Sequence, residues 1–182
     1  SMTAIPQERN KIKITIKPPK LADYQKAFLN CPQRFSVVEA STKTGKTFSH
    51  IYWLFRLAHG LDPVWYTDNV KPGMNMWWVA PVYSQAKIAF ARMKRHILNA
   101  PGYKFNNSDL AITTPKGTII SFKPADTPDN LYGEDVYGAV FDEFTRAKQA
   151  AWFALRSTVT FTKAPVKFIG NYTGQSNWGH KL

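Results

Sequence analysis

Two short segments carry residue types suited to holding a phosphate chain and directing water at it. The first, Ala40-Ser41-Thr42-Lys43-Thr44-Gly45-Lys46-Thr47, follows a short β-branched apolar run. It is a phosphate-binding loop pattern whose first glycine is replaced by alanine. In such a loop the backbone N–H groups of Ser41, Thr42, Lys43, Thr44 and Gly45 turn inward onto an anion at a helix N-terminus. Lys46 then reaches the β and γ oxygens of ATP, and the Thr47 hydroxyl meets Mg²⁺. The second segment, Val140-Phe141-Asp142-Glu143, lies roughly a hundred residues further on and delivers two carboxylates at the end of an apolar run. Asp142 suits a hydrated Mg²⁺, and Glu143 suits orienting and deprotonating an attacking water. Alone, the first segment also reads as a chance helix start and the second as a pair of helix-capping acids. Together they favour a nucleotide site.

The elements around these segments must bring them to one place. Phe35–Ala40, Met76–Pro81, Tyr137–Phe141 and Val166–Gly170 are short apolar runs of the buried-strand type. Helical spacing covers Thr47–Gly60, Ser84–Leu98 with Ser84 as N-cap, and Gln149–Arg156. Ser41–Lys46 reads as a polar loop. Leu110–Thr113 and Thr118–Phe122 flank Pro115-Lys116-Gly117 as a hairpin. Strands alternating with helices predict an α/β fold with a mostly parallel sheet covered by helices on both faces. Ligands of such folds sit beyond the carboxyl ends of the strands, where both motifs fall.

Other features leave two readings open. Tyr24-Gln25 supplies a ring and an amide that suit an adenine, or else opens an amphipathic helix with Phe28 and Leu29. Asn171, in Gly170-Asn171-Tyr172-Thr173-Gly174, either senses a γ-phosphate or is a turn residue. Lys87, Arg92, Lys94, Arg95 and Lys104 form a stretch without acids, either a solvated helix face or a track for DNA phosphates. Residues 1–20 form a basic arm, with Ser1-Met2 read as a tag remnant, and residues 21–182 form one domain. The 182 residues carry 24 Lys and Arg against 12 Asp and Glu, a net charge of +12 that favours a polyanionic partner. Cys31 is the only cysteine, which excludes an intrachain disulfide and fits a reducing compartment. No apolar run is long enough to span a bilayer, so no membrane partner is expected.

From Tyr24 to Leu182 the chain resembles the ATPase domain of the large terminase subunit of tailed bacteriophages. The matching pieces are Tyr24-Gln25, the deviant loop Ala40–Thr47 (Walker A), Trp77-Trp78-Val79-Ala80-Pro81, Leu131-Tyr132-Gly133, Val140–Glu143 (Walker B), and Gly170–Gly174 with Asn177-Trp178. The resemblance implies a RecA-like P-loop ATPase that uses ATP and Mg²⁺ to thread double-stranded DNA into a procapsid. It implies a homo-oligomeric ring on the portal protein, a small terminase subunit as partner, and the host cytoplasm as location. It also implies a C-terminal nuclease domain, which this chain is expected to lack, leaving an isolated and monomeric motor domain. Two departures stand out. Tyr132 replaces an arginine common in the family, so the cation must come from elsewhere: Arg146 or Arg156 acting in trans, or Lys43 in cis. Asn171-Tyr172 replaces a Thr-Pro or Ser-Pro pair, which leaves the coupling role of Asn171 open. Outside the packaging reading stand a helicase-like ATPase acting on another nucleic acid, and a nucleic-acid-binding module with a degenerate nucleotide site.

Overall fold

The β-branched and aromatic runs become strands here, and the segments with 3.6-residue spacing become helices. The computed structural model describes residues 29–39 and 43–170. In chain order these form β1 (Phe35–Glu39), α1 (Lys43–Ala58), β2 (Asn75–Ala80), α2 (Tyr83–Ile97), β3 (Lys104–Asn106), β4 (Ala111–Thr113), β5 (Ile119–Pro124), β6 (Val136–Asp142), α3 (Gln149–Thr160) and β7 (Val166–Gly170). Short 3-10 turns occur at Pro128–Leu131 and Phe144–Arg146. One sheet holds all seven strands in the order β1-β7-β6-β2-β5-β4-β3. Its pairs from β1 to β5 are parallel, while β4 and β3 are added antiparallel. The α/β class with a mostly parallel sheet is thus what the chain adopts.

Parallel strands need cover on both faces, and most of their residues are apolar. Met76, Trp78 and Ala80 of β2 pack with Leu54 and Leu57 of α1 and with Phe90 and Met93 of α2. Trp77 and Val79, pointing the other way, pack with Trp152 and Leu155 of α3 and with Phe168 of β7. Helix α1 stops at Gly60, whose φ of +70° suits glycine, and Leu61 N–H reaches the Arg56 carbonyl at 3.0 Å. Among the described residues no helix is long and apolar enough to cross a membrane.

Several boundaries differ from those read in the sequence. The helix expected from Thr47 begins at Lys43, so the expected loop Ser41–Lys46 gives up its last four residues to α1. That first turn is polar and has no apolar rhythm to announce it. Helix α2 begins at Tyr83 behind an extended Val82, and no side chain caps it, so Ser84 is not its N-cap. Helix α3 runs four residues past Arg156, with Thr158 and Thr160 bonding back to carbonyls of their own helix. Strand β3 is too short for a period-2 signal and was not expected.

Lys167 lies mid-strand in β7 and is only 2% exposed. Its ammonium sits 3.3 Å from Ser36 Oγ and 4.9 Å from the centre of the Trp53 ring. Burial pushes it down to about 8, with Cys31 and Asp62 opposing and Arg56 assisting. The unfolded chain then keeps a proton that the folded chain has already released, so stability rises as pH climbs from about 8 towards 10. Relative to Lys167→Met, the parent should gain stability across that window, and the substitution should stabilise the fold at pH 7. Urea melts of both proteins between pH 7 and 10 measure this, and parallel curves would contradict it.

Candidate functional site

The parallel register brings three strand ends to one edge. Glu39, the last residue of β1, is level with Gly170, the last of β7. Asp142, the last of β6, is level with Ile169 of β7. β1 therefore ends beside the end of β7, and α1 begins at Lys43, four residues after Glu39 in the chain. Tyr24, Gln25, Ser41, Thr42 and Asn171 lie outside the described residues. Lys43, Thr44, Gly45, Lys46 and Thr47 are described as backbone in the first turn of α1, and their side-chain roles lie outside the description.

Two close approaches fix these ends against each other. A Cβ added at Gly138 of β6 would fall into the Leu57 side chain of α1. Glycine at this position is what lets α1 lie down on the strand carrying Asp142. A Cβ added at Gly170 would lie 3.0 Å from the Phe144 ring. Phe144 is buried and meets Phe168 edge-on at 5.4 Å. The turn after β6 is thereby pinned to the end of β7.

Glu143 opens that turn in the left-handed conformation, at φ 48° and ψ 42°. This geometry costs a non-glycine residue about 1 kcal/mol or more, and such strain collects at functional sites. The Glu143 carboxylate is mostly buried and accepts a 3.3 Å ion pair from Arg146 Nη1. Asp142 is half-buried beside it.

The edge fits an anion with a hard cation. Helix α1 has no acidic residue in its first turn, and a helix N-terminus favours negative charge. At the same edge Gln85 Oε1 and Thr145 Oγ1 are buried with no hydrogen-bond partner among the described residues, which is common where a ligand or water completes the set. Asp142 and the Thr47 hydroxyl are oxygen donors of the kind Mg²⁺ takes. Sequence reasoning missed Gln85 and Thr145, because nothing in their local pattern marks a buried polar atom.

The remaining candidates fall elsewhere. Tyr132 is exposed before β6, at the opposite, amino edge. There Gly133, Glu134 and Asp135 line one recess with Ser157 and Thr158 of α3. Arg156 is the next residue on that helix and stacks on Phe153 at 5.4 Å. Arg146, another of the candidate trans-acting cations, instead lies on Glu143 of its own chain. Lys87, Lys94 and Arg95 line one groove of about 370 Å³ with Phe90, Leu98 and Asn107. Lys94 donates to Asn107 Oδ1 at 2.9 Å and lies over the Phe90 and Phe105 rings. Arg92 is about 140° around the helix from Lys87 and does not share that groove.

No protein-family model and no curated protein matches this sequence. Solved structures do match it in fold. The large terminase ATPase domain of Thermus phage P74-26 aligns over 83% of this chain with a TM-score of 0.64 at 21% identity. The HK97 bacteriophage large terminase aligns over 85% with a TM-score of 0.66 at 16% identity. The large terminase of a thermophilic bacteriophage, solved in complex with ADP, aligns over 82% with a TM-score of 0.59 at 16% identity. This chain spans 64% of the first, 34% of the second and 39% of the third. The fold is therefore the RecA-like one of phage large terminase ATPase domains.

The Gly138 contact makes a direct prediction. Gly138→Ala should destabilise the fold by about 1–3 kcal/mol through overpacking, and Leu57→Ala in the same chain should recover part of that loss. Urea melts of the two single variants and the double variant measure the coupling. Strict additivity would mean that α1 does not rest on β6 at this point.

Proposed function

We propose that this chain is the ATPase motor domain of a viral terminase large subunit, coupling ATP hydrolysis to translocation of double-stranded DNA into a procapsid. One observation carries the reading: β1, β7 and β6 end together, so the phosphate-loop pattern and the Asp142-Glu143 pair share an edge. The likeness in fold to terminase ATPase domains, one of them solved with ADP, supports it.

In this reading Lys46 and the loop N–H groups hold the phosphates, and Gln25 and Tyr24 hold the adenine. Thr47 and Asp142 would hold Mg²⁺, which when bound draws charge from the phosphate oxygens. Glu143 orients the attacking water and takes its proton at the carboxylate. With no arginine at Tyr132, the trans-acting cation is assigned to Arg156, which another subunit of a ring would receive, with Lys43 the choice in cis. Double-stranded DNA lies on Lys87, Lys94 and Arg95. The portal protein and a small terminase subunit are the assembly partners in the host cytoplasm.

Mg²⁺-dependent ATP turnover tests the site. Lys46→Ala should abolish nucleotide binding by removing the main point charge on the polyanion. Glu143→Gln should bind ATP and lose at least a hundredfold in turnover, since an amide holds a water but takes no proton. Parent-rate hydrolysis by Glu143→Gln would remove Glu143 as the base.

Salt dependence tests the DNA surface. Binding should be independent of sequence, with log K falling linearly against log salt. Neutralising Lys87, Lys94 and Arg95 together should lower that slope by about 2 to 3, and Arg92→Ala alone should barely change it. An unchanged slope in the triple variant would move the DNA off this helix.

A further inference from the structure

We propose that Arg146 is a positioning residue acting in cis on Glu143, not a cation lent to a neighbouring subunit. The proposal rests on the reading of Glu143 as the base. Three observations carry it.

First, the two residues are tied twice. Arg146 N–H donates to the Glu143 carbonyl at 2.9 Å, closing the 3-10 turn, and Arg146 Nη1 meets Glu143 Oε2 at 3.3 Å. Second, the pair is asymmetric in exposure. The Glu143 side chain is 9% exposed and the Arg146 side chain 52%, so the guanidinium reaches in from solvent onto a carboxylate already withdrawn from it. An arginine reaching outward to another subunit would leave that carboxylate without this cation. Third, the turn itself is held. Phe144 is wedged against Phe168 and the end of β7, so Arg146 stands on a fixed base.

A glutamate has three side-chain torsions, and a base misplaced by about 1 Å can lose on the order of a hundredfold in rate. The left-handed backbone at Glu143 sets the direction in which the side chain leaves the strand. The Arg146 contact then limits which rotamers the carboxylate adopts, and this is how a residue that touches neither ATP nor water affects the chemistry.

The experiment measures steady-state ATP turnover under Mg²⁺ for the parent, Arg146→Gln and Arg146→Lys, each with its melting temperature. It then adds Glu143→Gln chains, which keep Arg146, to Arg146→Gln. Arg146→Gln should lower kcat roughly tenfold to a hundredfold with KM unchanged. Arg146→Lys, which keeps a cation on the same turn, should recover most of the loss. Adding Glu143→Gln chains should restore nothing, because a group acting in cis cannot be supplied from another subunit. Recovery on mixing would overturn the proposal in favour of a trans-acting role. An unchanged kcat, or a rise in KM alone, would also overturn it. A parent that neither binds nor hydrolyses ATP would instead reject the nucleotide site itself, and the proposal with it.

Discussion

The register that sets Glu39 level with Gly170, and Asp142 level with Ile169, determines where every residue with chemistry emerges from the sheet. Parallel strands carry slanted, evenly spaced hydrogen bonds, and a slip of one residue would send each side chain to the opposite face. Such a slip would move Trp77 and Phe141 out of the α3 side of the core and Trp78 and Val140 out of the α1 side. Because both faces are apolar and filled, the register is held from both sides. The shared carboxyl edge follows from it. β7, inserted between β1 and β6, separates the strand that leads to α1 from the strand that bears the acidic pair.

Close packing then converts that register into a rigid edge. Gly138 lets α1 lie against β6, and Gly170 lets Phe144 lie against β7, so each motif is seated on the strand that bears the next one. The strain at Glu143 is tolerated because the flanking strand and the Phe144 anchor over-determine the turn. Lys167, whose side chain is buried in this sheet, departs from the apolar pattern. Ser36 and the Trp53 ring meet it at a cost that the surrounding core offsets.

The sequence made the central architecture legible because parallel strands are continuous apolar runs that alternate with longer amphipathic helices. The runs Phe35–Ala40, Met76–Pro81, Tyr137–Phe141 and Val166–Gly170 all stand out in this way. The Asp142-Glu143 pair was legible too, because it ends an apolar run well after the Gly-Lys-Thr segment, and the two together favour one site. Less visible was anything decided by tertiary contact. The start of α1 at Lys43 falls in a polar turn, where side-chain periodicity gives no sign of it. That Arg92 leaves the groove shared by Lys87, Lys94 and Arg95 was hidden by reading the stretch as linear charge. Only the fold shows that Arg146 turns back onto Glu143, or that Tyr132 and Arg156 belong to the opposite end of the molecule.

The central claim is that the carboxyl edge of this sheet is a Mg²⁺–triphosphate site, and hydrogen–deuterium exchange tests it most directly. The backbone amides should be compared with and without Mg²⁺ and a slowly hydrolysed ATP analogue. Protection should appear at the start of α1 and in the Phe144–Arg146 turn, where the amides face the anion or are tied to the acidic pair. The β3–β4 hairpin, at the far side of the sheet, should exchange as before. Protection absent from the start of α1, or confined to the hairpin and α2, would contradict the account.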